Sequence, residues 1–343
     1  MFPATSTSWC VPTPSPGWRA SPSSSAASGS EVQRVRLAFL VAVTAGCSDP
    51  EVIRKQGPYG TVDSATPDSG AAPLPAQVTL AGMGLQYVPA GTFTMGSSTT
   101  EVGRVADETQ HRVTLTHGYY MGVVPVTRGQ YRALMGETPD EADPCDDTCA
   151  VRRVSWHDAA ALANAASRAE GLPECFHCTD TCEPVGNPYD CEGVRLPTEA
   201  EWEHAARAGT TGAFQTGGNL VEGDEESCDS NVVLDDGTPL SELAWFCGSS
   251  DMWVQPVGQL APNALGLHDL SGNVYEWLYD WAGEDHGSAP ETDPLGPDSG
   301  TTRLHRGGSW GSFPRNLRLA ARTANVPGEG QAGSGVRLVW TAR

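Results

Sequence analysis

Positive charge is scarce in this chain. Lys and Arg together number 21 against 42 Asp and Glu, which leaves a formal net charge of −21. So acidic a surface repels phosphate backbones and anionic headgroups, which excludes nucleic acid as a partner and leaves a lipid anchor as the route to a membrane. Long apolar runs are lacking as well: the stretch from Leu37 to Val43 falls far short of the roughly 20 residues that span a bilayer. Helical periodicity fades after Gly209, no histidine precedes His111, and no cysteine follows Cys247.

What is present is a turn-rich composition, with 39 Gly and 26 Pro beside 10 Trp. That mixture reads as an irregular, loop-rich globule whose apolar anchors sit between turns. Of the 10 cysteines, eight fall between Cys145 and Cys247. An even, clustered set of this kind points to an oxidising compartment and therefore to export.

An export signal is legible near the start. Arg34 to Cys47 (RVRLAFLVAVTAGC) has two arginines, a short apolar run and small residues before a cysteine. Gly46-Cys47 resembles a lipobox, although Thr44 stands where Leu is usual. The expectation is lipidation of Cys47 and a place in the cell envelope, at the outer membrane or in the periplasm, with cleavage to a free soluble protein as the alternative. Residues 1–46 then read as a spurious N-terminal extension plus signal peptide. Residues 47–82 read as the lipidated cysteine and a flexible Pro-, Gly-, Ser- and Asp-rich linker, and 83–343 as one domain.

Within that domain, Tyr87–Met95 (YVPAGTFTM) suggests an opening hairpin around Pro-Ala-Gly. The alternation in Arg112–Thr116 suggests a half-buried strand. Three capping boxes mark helices starting after Thr127, Ser155 and Thr198, with glycine exits at Gly136, Gly171 and Gly209. Cys145 and Cys149 can close a small loop; Cys175, Cys178, Cys182 and Cys191 share one insertion; Cys228 and Cys247 flank another. Disulfides are the leading reading for all eight, with pairing left open. A zinc site from Cys175, Cys178, Cys182 and Cys191, or a redox pair Cys175/Cys178, are the alternatives.

Seven strings in order, VPAGTFTMGS, DETQHRVTL, VTRGQYRALMG, VSWHDA, VRLPTEAEWEHAARAG, GLHDLSGNVYEW and RGGSW, resemble the formylglycine-generating enzyme (sulfatase-modifying factor) family across roughly residues 85–340. The resemblance implies an α+β fold with little regular secondary structure, related to C-type lectin-like domains. It also implies copper-dependent oxidation of a sulfatase cysteine, through a cysteine pair shortly after the GGSW string. Here Gly311–Leu317 holds no cysteine, and Ser312 stands near the place of the first. A hydroxyl does not replace a soft thiolate toward Cu(I), so copper and a catalytic residue set are not expected. The iron-dependent sulfoxide synthases of the family take histidines from a preceding domain, and no histidine precedes His111.

The resemblance further implies a structural calcium held by the Asp269 and Glu276 carboxylates and the Gly272 and Val274 carbonyls. A plain turn is the competing reading. It places Trp277, Arg306, Ser309, Trp310, Arg322 and Asn325 along a cleft for an extended peptide or a glycan, against packed tryptophans and an internal Arg322 ion pair. The function expected is an exported binding or accessory module. An enzyme of altered, oxidoreductase-like chemistry in the same groove, with His305 as its nearest base, and a structural surface lipoprotein are the alternatives.

Overall fold

The computed structural model describes residues 74–283, 285 and 287–341. The expected signal peptide, Cys10 and the expected lipidation at Cys47 lie outside the described residues. In chain order the strands are β1 (Gln77–Leu80), β2 (Met83–Val88), β3 (Gly91–Met95), β4 (His111–Leu115), β5 (Tyr119–Gly122), β6 (Phe176–Cys178), β7 (Cys182–Pro184) and β8 (Val194–Arg195). They continue with β9 (Tyr275–Trp281), β10 (Glu291–Thr292), β11 (Arg303–Arg306), β12 (Thr323–Asn325), β13 (Ser334–Gly335) and β14 (Val339–Thr341). The helices are α1 (Arg128–Met135), α2 (Trp156–Ala169) and α3 (Glu199–Arg207). The fold is α+β, built from short strands and long irregular connections.

Two sheets carry most of the architecture. One runs β1-β2-β5-β14-β8, and the other β12-β11-β9-β13. Two smaller ones are β10-β4-β3 and the hairpin β6-β7. The expected hairpin over Tyr87–Met95 does not form. β2 pairs with β1 and β5, whereas β3 pairs with β4. Pro89-Ala90 therefore carries the chain between sheets instead of turning it back on itself. The fold also begins earlier than residue 83, because β1 joins the first sheet and buries Leu80.

All three capping boxes are closed in both directions, at Thr127, Ser155 and Thr198. α1 stops at Gly136. α3 exits through Ala208 in the left-handed region (φ 47°), with Gly209 following it there. α2 is rich in alanine, so its inner face can approach neighbours closely. It packs Trp156, Ala159, Ala163 and Ala166 against Phe176, Val194 and Trp277.

α3 is unlike an ordinary surface helix. Glu199, Glu201 and Glu203 are all buried, and each meets an arginine. Glu201 faces Arg195 at 2.7 Å, Glu203 faces Arg207 at 2.8 Å, and Glu199 faces Arg306 at 2.7 Å. Buried carboxylates of this kind are tolerable only when paired and hydrogen-bonded. The pairs lock α3 to β8 and β11. Burial would raise the Glu203 pKa, but Arg207 and Arg306 together hold it below the usual carboxylate range.

The eight cysteines of the domain form four disulfides: Cys145–Cys149, Cys175–Cys191, Cys178–Cys182 and Cys228–Cys247. The zinc and redox alternatives for the insertion give way to this pairing, since all four of its sulfurs are bonded to one another in two bridges.

Candidate functional site

β9 reads YEWLYDW, and its period of two sends Tyr275, Trp277, Tyr279 and Trp281 to one face of the second sheet. On β11, His305 is opposite Trp277. The imidazole stacks on Trp277 with ring centroids 4.9 Å apart and tilts against Tyr275 at 4.5 Å. His305 is fully buried, and neither ring nitrogen has a hydrogen-bond partner. Burial alone pushes its pKa down to about 3, so the ring is neutral.

Above this stack the loop after β11 folds into a tight turn. Gly307 and Gly308 both adopt left-handed φ, and a Cβ on Gly308 would sit 2.6 Å from Leu317 Cδ2. That close approach is what the paired glycines permit. The Ser309 N–H donates to Ser312 Oγ (2.9 Å), and the Ser312 N–H donates to the Ser309 carbonyl (2.9 Å). The two hydroxyls lie 3.2 Å apart, and Ser312 donates on to the Tyr275 hydroxyl at 3.1 Å. Three hydroxyls thus form one chain. Ser309 is 7% exposed and Ser312 6%.

Beside the hydroxyls lies an aromatic patch. Trp310 and Trp253 have ring centroids 6.2 Å apart. Met252, Trp253 and Phe313 are exposed, and the Met252 methyl reaches Gly311. The patch is held out by an unusual turn, since Asp251 and Met252 both have left-handed φ (54° and 57°). Two consecutive non-glycine residues there cost free energy. Ser250 offsets it by accepting from the Met252 N–H and donating to the Trp310 carbonyl (2.7 Å). Arg152 caps Trp253 from behind, 4.5 Å from the ring centroid.

The residues expected along a cleft divide into two groups. Ser309, Trp310 and Asn325 lie in or beside surface loops. Trp277 is wholly buried and donates its indole N–H to the Val154 carbonyl (2.8 Å). Arg306 is buried between Glu199 and Glu203, and Arg322 holds Glu199 at 2.7 Å. Trp277 and Arg306 are therefore interior supports and do not line an open cleft, because Trp277 packs into the core with α2 and Arg306 is enclosed by the glutamates of α3. Tyr275, Met252 and Trp253 were not singled out from the sequence. The alternation of β9 was the available signal for Tyr275, whereas Met252 and Trp253 reach the site only through the strained turn.

The loop Asp269–Glu276 behaves unevenly as a cation site. Asp269 is buried; Oδ2 accepts from the Gly258 N–H (2.6 Å), while Oδ1 has no hydrogen-bond partner. Burial raises its pKa, with the Gly258 N–H and Arg337 opposing. That orphaned oxygen fits a bound cation. Glu276 is already neutralised: Arg337 grips both its oxygens (2.7–3.0 Å) and the Trp202 indole donates to Oε2 (2.6 Å). A carboxylate has about four lone-pair sites, so Glu276 keeps room for at most a single further contact. Among the described residues no group of three or more His, Cys, Asp or Glu side chains is arranged to hold a metal. A calcium ion here would lean on Asp269 and carbonyls.

The α+β fold of short strands and long connections has solved counterparts. Treponema denticola variable protein 1 (TM-score 0.65) and PvdO from Pseudomonas aeruginosa (TM-score 0.62) are each 25% identical, with 79% of this chain and 100% of theirs covered. A model of the sulfatase-modifying factor enzyme 1-like domain matches residues 72–342. The chain belongs to that family. It is 34% identical over 197 residues to the formylglycine-generating enzyme of Thermomonospora curvata, with 54% of each chain covered, so it spans about half the length of that relative. Against the mouse formylglycine-generating enzyme it is 27% identical over 344 residues, with 91% and 90% covered. It is 31% identical over 236 residues to a protein named Chaperone protein LppX from Paenibacillus barcinonensis, with 59% and 72% covered.

Proposed function

We propose that this protein is a non-oxidising member of the family, an exported and lipid-anchored binding or accessory module of the cell envelope. Its binding face is the hydroxyl turn of Ser309, Ser312 and Tyr275 with the flanking Met252, Trp253 and Trp310, and its partner is an extended peptide or a glycan. The observation that carries the reading is the state of the sulfurs. All eight cysteines of the described residues are consumed in disulfides. Copper held by two thiolates therefore does not fit these residues, and no step is routed through it. The hydroxyls that stand near the expected copper position satisfy one another, which supports a structural or recognition role for them.

Altered catalysis in the same place has His305 in its favour. Acid–base work needs the base within hydrogen-bond reach of the group it serves. His305 makes no hydrogen bond to either serine, and its depressed pKa leaves it a weak base at neutral pH. The name of the Paenibacillus relative is consistent with accessory work by members of this family.

The test is direct. Full-length protein is incubated with a Cys-x-Pro-x-Arg peptide, Cu(I) and O₂, and aldehyde is read by hydrazide capture and mass spectrometry. No aldehyde is expected. Copper-dependent aldehyde formation overturns the reading.

A further inference from the structure

Eight arginines of the described residues are buried: Arg128, Arg152, Arg195, Arg207, Arg303, Arg306, Arg318 and Arg337. Seven of them have a carboxylate within ion-pair distance. Arg303 alone among these has none. Its guanidinium lies between two indoles instead, 3.5 Å from the Trp281 ring centroid and 4.1 Å from that of Trp156. Nη1 donates to the Tyr279 carbonyl (2.5 Å), and Nε is buried without a partner. Stacking on aromatic faces recovers part of the hydration a guanidinium gives up, but a donor left unmatched at this depth still costs free energy. Desolvation accordingly pulls its pKa down to about 10, with Tyr279, Asp280 and Glu183 acting in the opposite direction.

Arg303 also borders an open cavity of about 420 Å³. The cavity is lined by Tyr279, Trp281 and Arg303 of the second sheet and its flank and by Glu183 and Asn187 of the insertion, together with Asp298; Glu183 and Asp298 are exposed. The insertion wall is braced by Cys175–Cys191, which encloses Glu183 and Asn187 in sequence, and by Cys178–Cys182, which ends one residue before Glu183. The pocket therefore combines a buried cation lacking a counter-ion with exposed carboxylates on its rim. A multiply charged anion such as phosphate would suit the floor and be repelled by the rim. A sugar would need a free aromatic face, and the Trp281 ring is already engaged by the guanidinium and packed on the Gly300 backbone.

The geometry points to a second binding site, separate from the Ser309 turn, that takes a small zwitterion of the amino-acid class. The ligand carboxylate pairs with Arg303, and its ammonium group faces Glu183 and Asp298. The bracing disulfides then have a use beyond stability, since they fix the distance between the two charged poles of the pocket.

Isothermal titration calorimetry on the full-length protein tests this with glycine, alanine, sodium acetate, methylammonium chloride and inorganic phosphate as probes. Glycine or alanine is expected to bind at least about tenfold more tightly than acetate or methylammonium, a difference of roughly 1.4 kcal/mol, and phosphate is expected to bind worse than either amino acid. Glu183→Gln combined with Asp298→Asn changes only exposed side chains. It should remove the preference for glycine over acetate and leave acetate binding in place. Arg303→Gln should abolish both, provided its melting curve shows it folded; if it does not fold, the rim variant decides. Absence of binding by either amino acid, a preference for phosphate, or an undiminished glycine preference in the rim variant overturns the assignment.

Discussion

The guanidinium of Arg337 grips Glu276 with Nη2 2.7 Å from Oε1 and Nε 2.9 Å from Oε2, both side chains being wholly buried. The same arginine donates to the carbonyls of Gly122 and His268 at 2.7 Å each. It thereby ties β9 to the end of β5 and to the loop before Asp269. Every nitrogen of the guanidinium thus has a partner, the kind of compensation a buried ion pair needs to be tolerated.

Removing one partner should therefore be severe. Arg337→Met leaves the Glu276 carboxylate buried with only the Trp202 indole, and a loss of about 3–5 kcal/mol of stability is expected. Urea denaturation of the variant beside the parent reads this as a lower midpoint. A loss under about 1 kcal/mol, the scale of an exposed pair, would contradict the burial seen here.

Calcium should act through Asp269. Without a cation the raised pKa of this carboxyl makes its ionisation unfavourable to the fold, so its contribution to stability falls as pH rises through the carboxylate range. A bound divalent ion reverses that penalty. Calcium at a hundredfold excess over its dissociation constant should add about 2.7 kcal/mol, seen as a higher melting temperature at neutral pH and a smaller gain near pH 4. Asp269→Asn should erase the gain. Equal melting temperatures with calcium and with chelator would mean that the loop is a plain turn.

Much of the local structure was legible in the sequence because its signals are local. Thr127, Ser155 and Thr198 cap helices through contacts only three residues long, and β4 follows an alternation contained in five residues. What escaped depends on distant partners. Pro89-Ala90 resembles a hairpin turn, and only the competing pairings of β2 with β5 and β3 with β4 decide otherwise. The glutamates of α3 look like the exposed face of a helix until Arg195 and Arg306 arrive from elsewhere in the chain; only the Glu203–Arg207 pair lies within the helix itself. The site was partly legible for the same reason. Ser309 and Ser312 stand in a recognisable string, while Met252 and Trp253 come beside them through a left-handed turn at 251–252 that carries no glycine.

His305 gives the protein an acid sensitivity that can be isolated. Its folded pKa of about 3 lies below the value near 6.5 of an exposed imidazole, so the unfolded chain binds the extra proton first. The His305 contribution to stability is complete above pH 6.5 and declines as pH falls toward 3, by about 1.4 kcal/mol per pH unit at its steepest. His305→Phe keeps a ring between Tyr275 and Trp277 and removes the titrating group. Denaturation at pH 7 and pH 5 should show a steeper loss for the parent than for the variant, and identical slopes would remove His305 as the cause.

The four disulfides should differ in worth according to the chain they close. Cross-linking stabilises mainly by restricting the unfolded state, and the gain grows with the logarithm of loop length. Cys228–Cys247 and Cys175–Cys191 close separations of 19 and 16 residues, whereas Cys145–Cys149 and Cys178–Cys182 each close 4. Replacing either long-loop pair with serine should cost about 3 kcal/mol, and replacing Cys145 and Cys149 roughly 1 kcal/mol less. The Cys178–Cys182 pair stands apart if the pocket assignment holds. Its removal should cost about as much stability as that of Cys145–Cys149, which closes the same separation, and should in addition weaken glycine binding, because it braces the wall carrying Glu183. Loss of stability without loss of binding would make the bridge a staple only, and weakened glycine binding by a variant that is still folded at the assay temperature, with no such change on removing Cys145–Cys149, would tie the insertion to the pocket floored by Arg303.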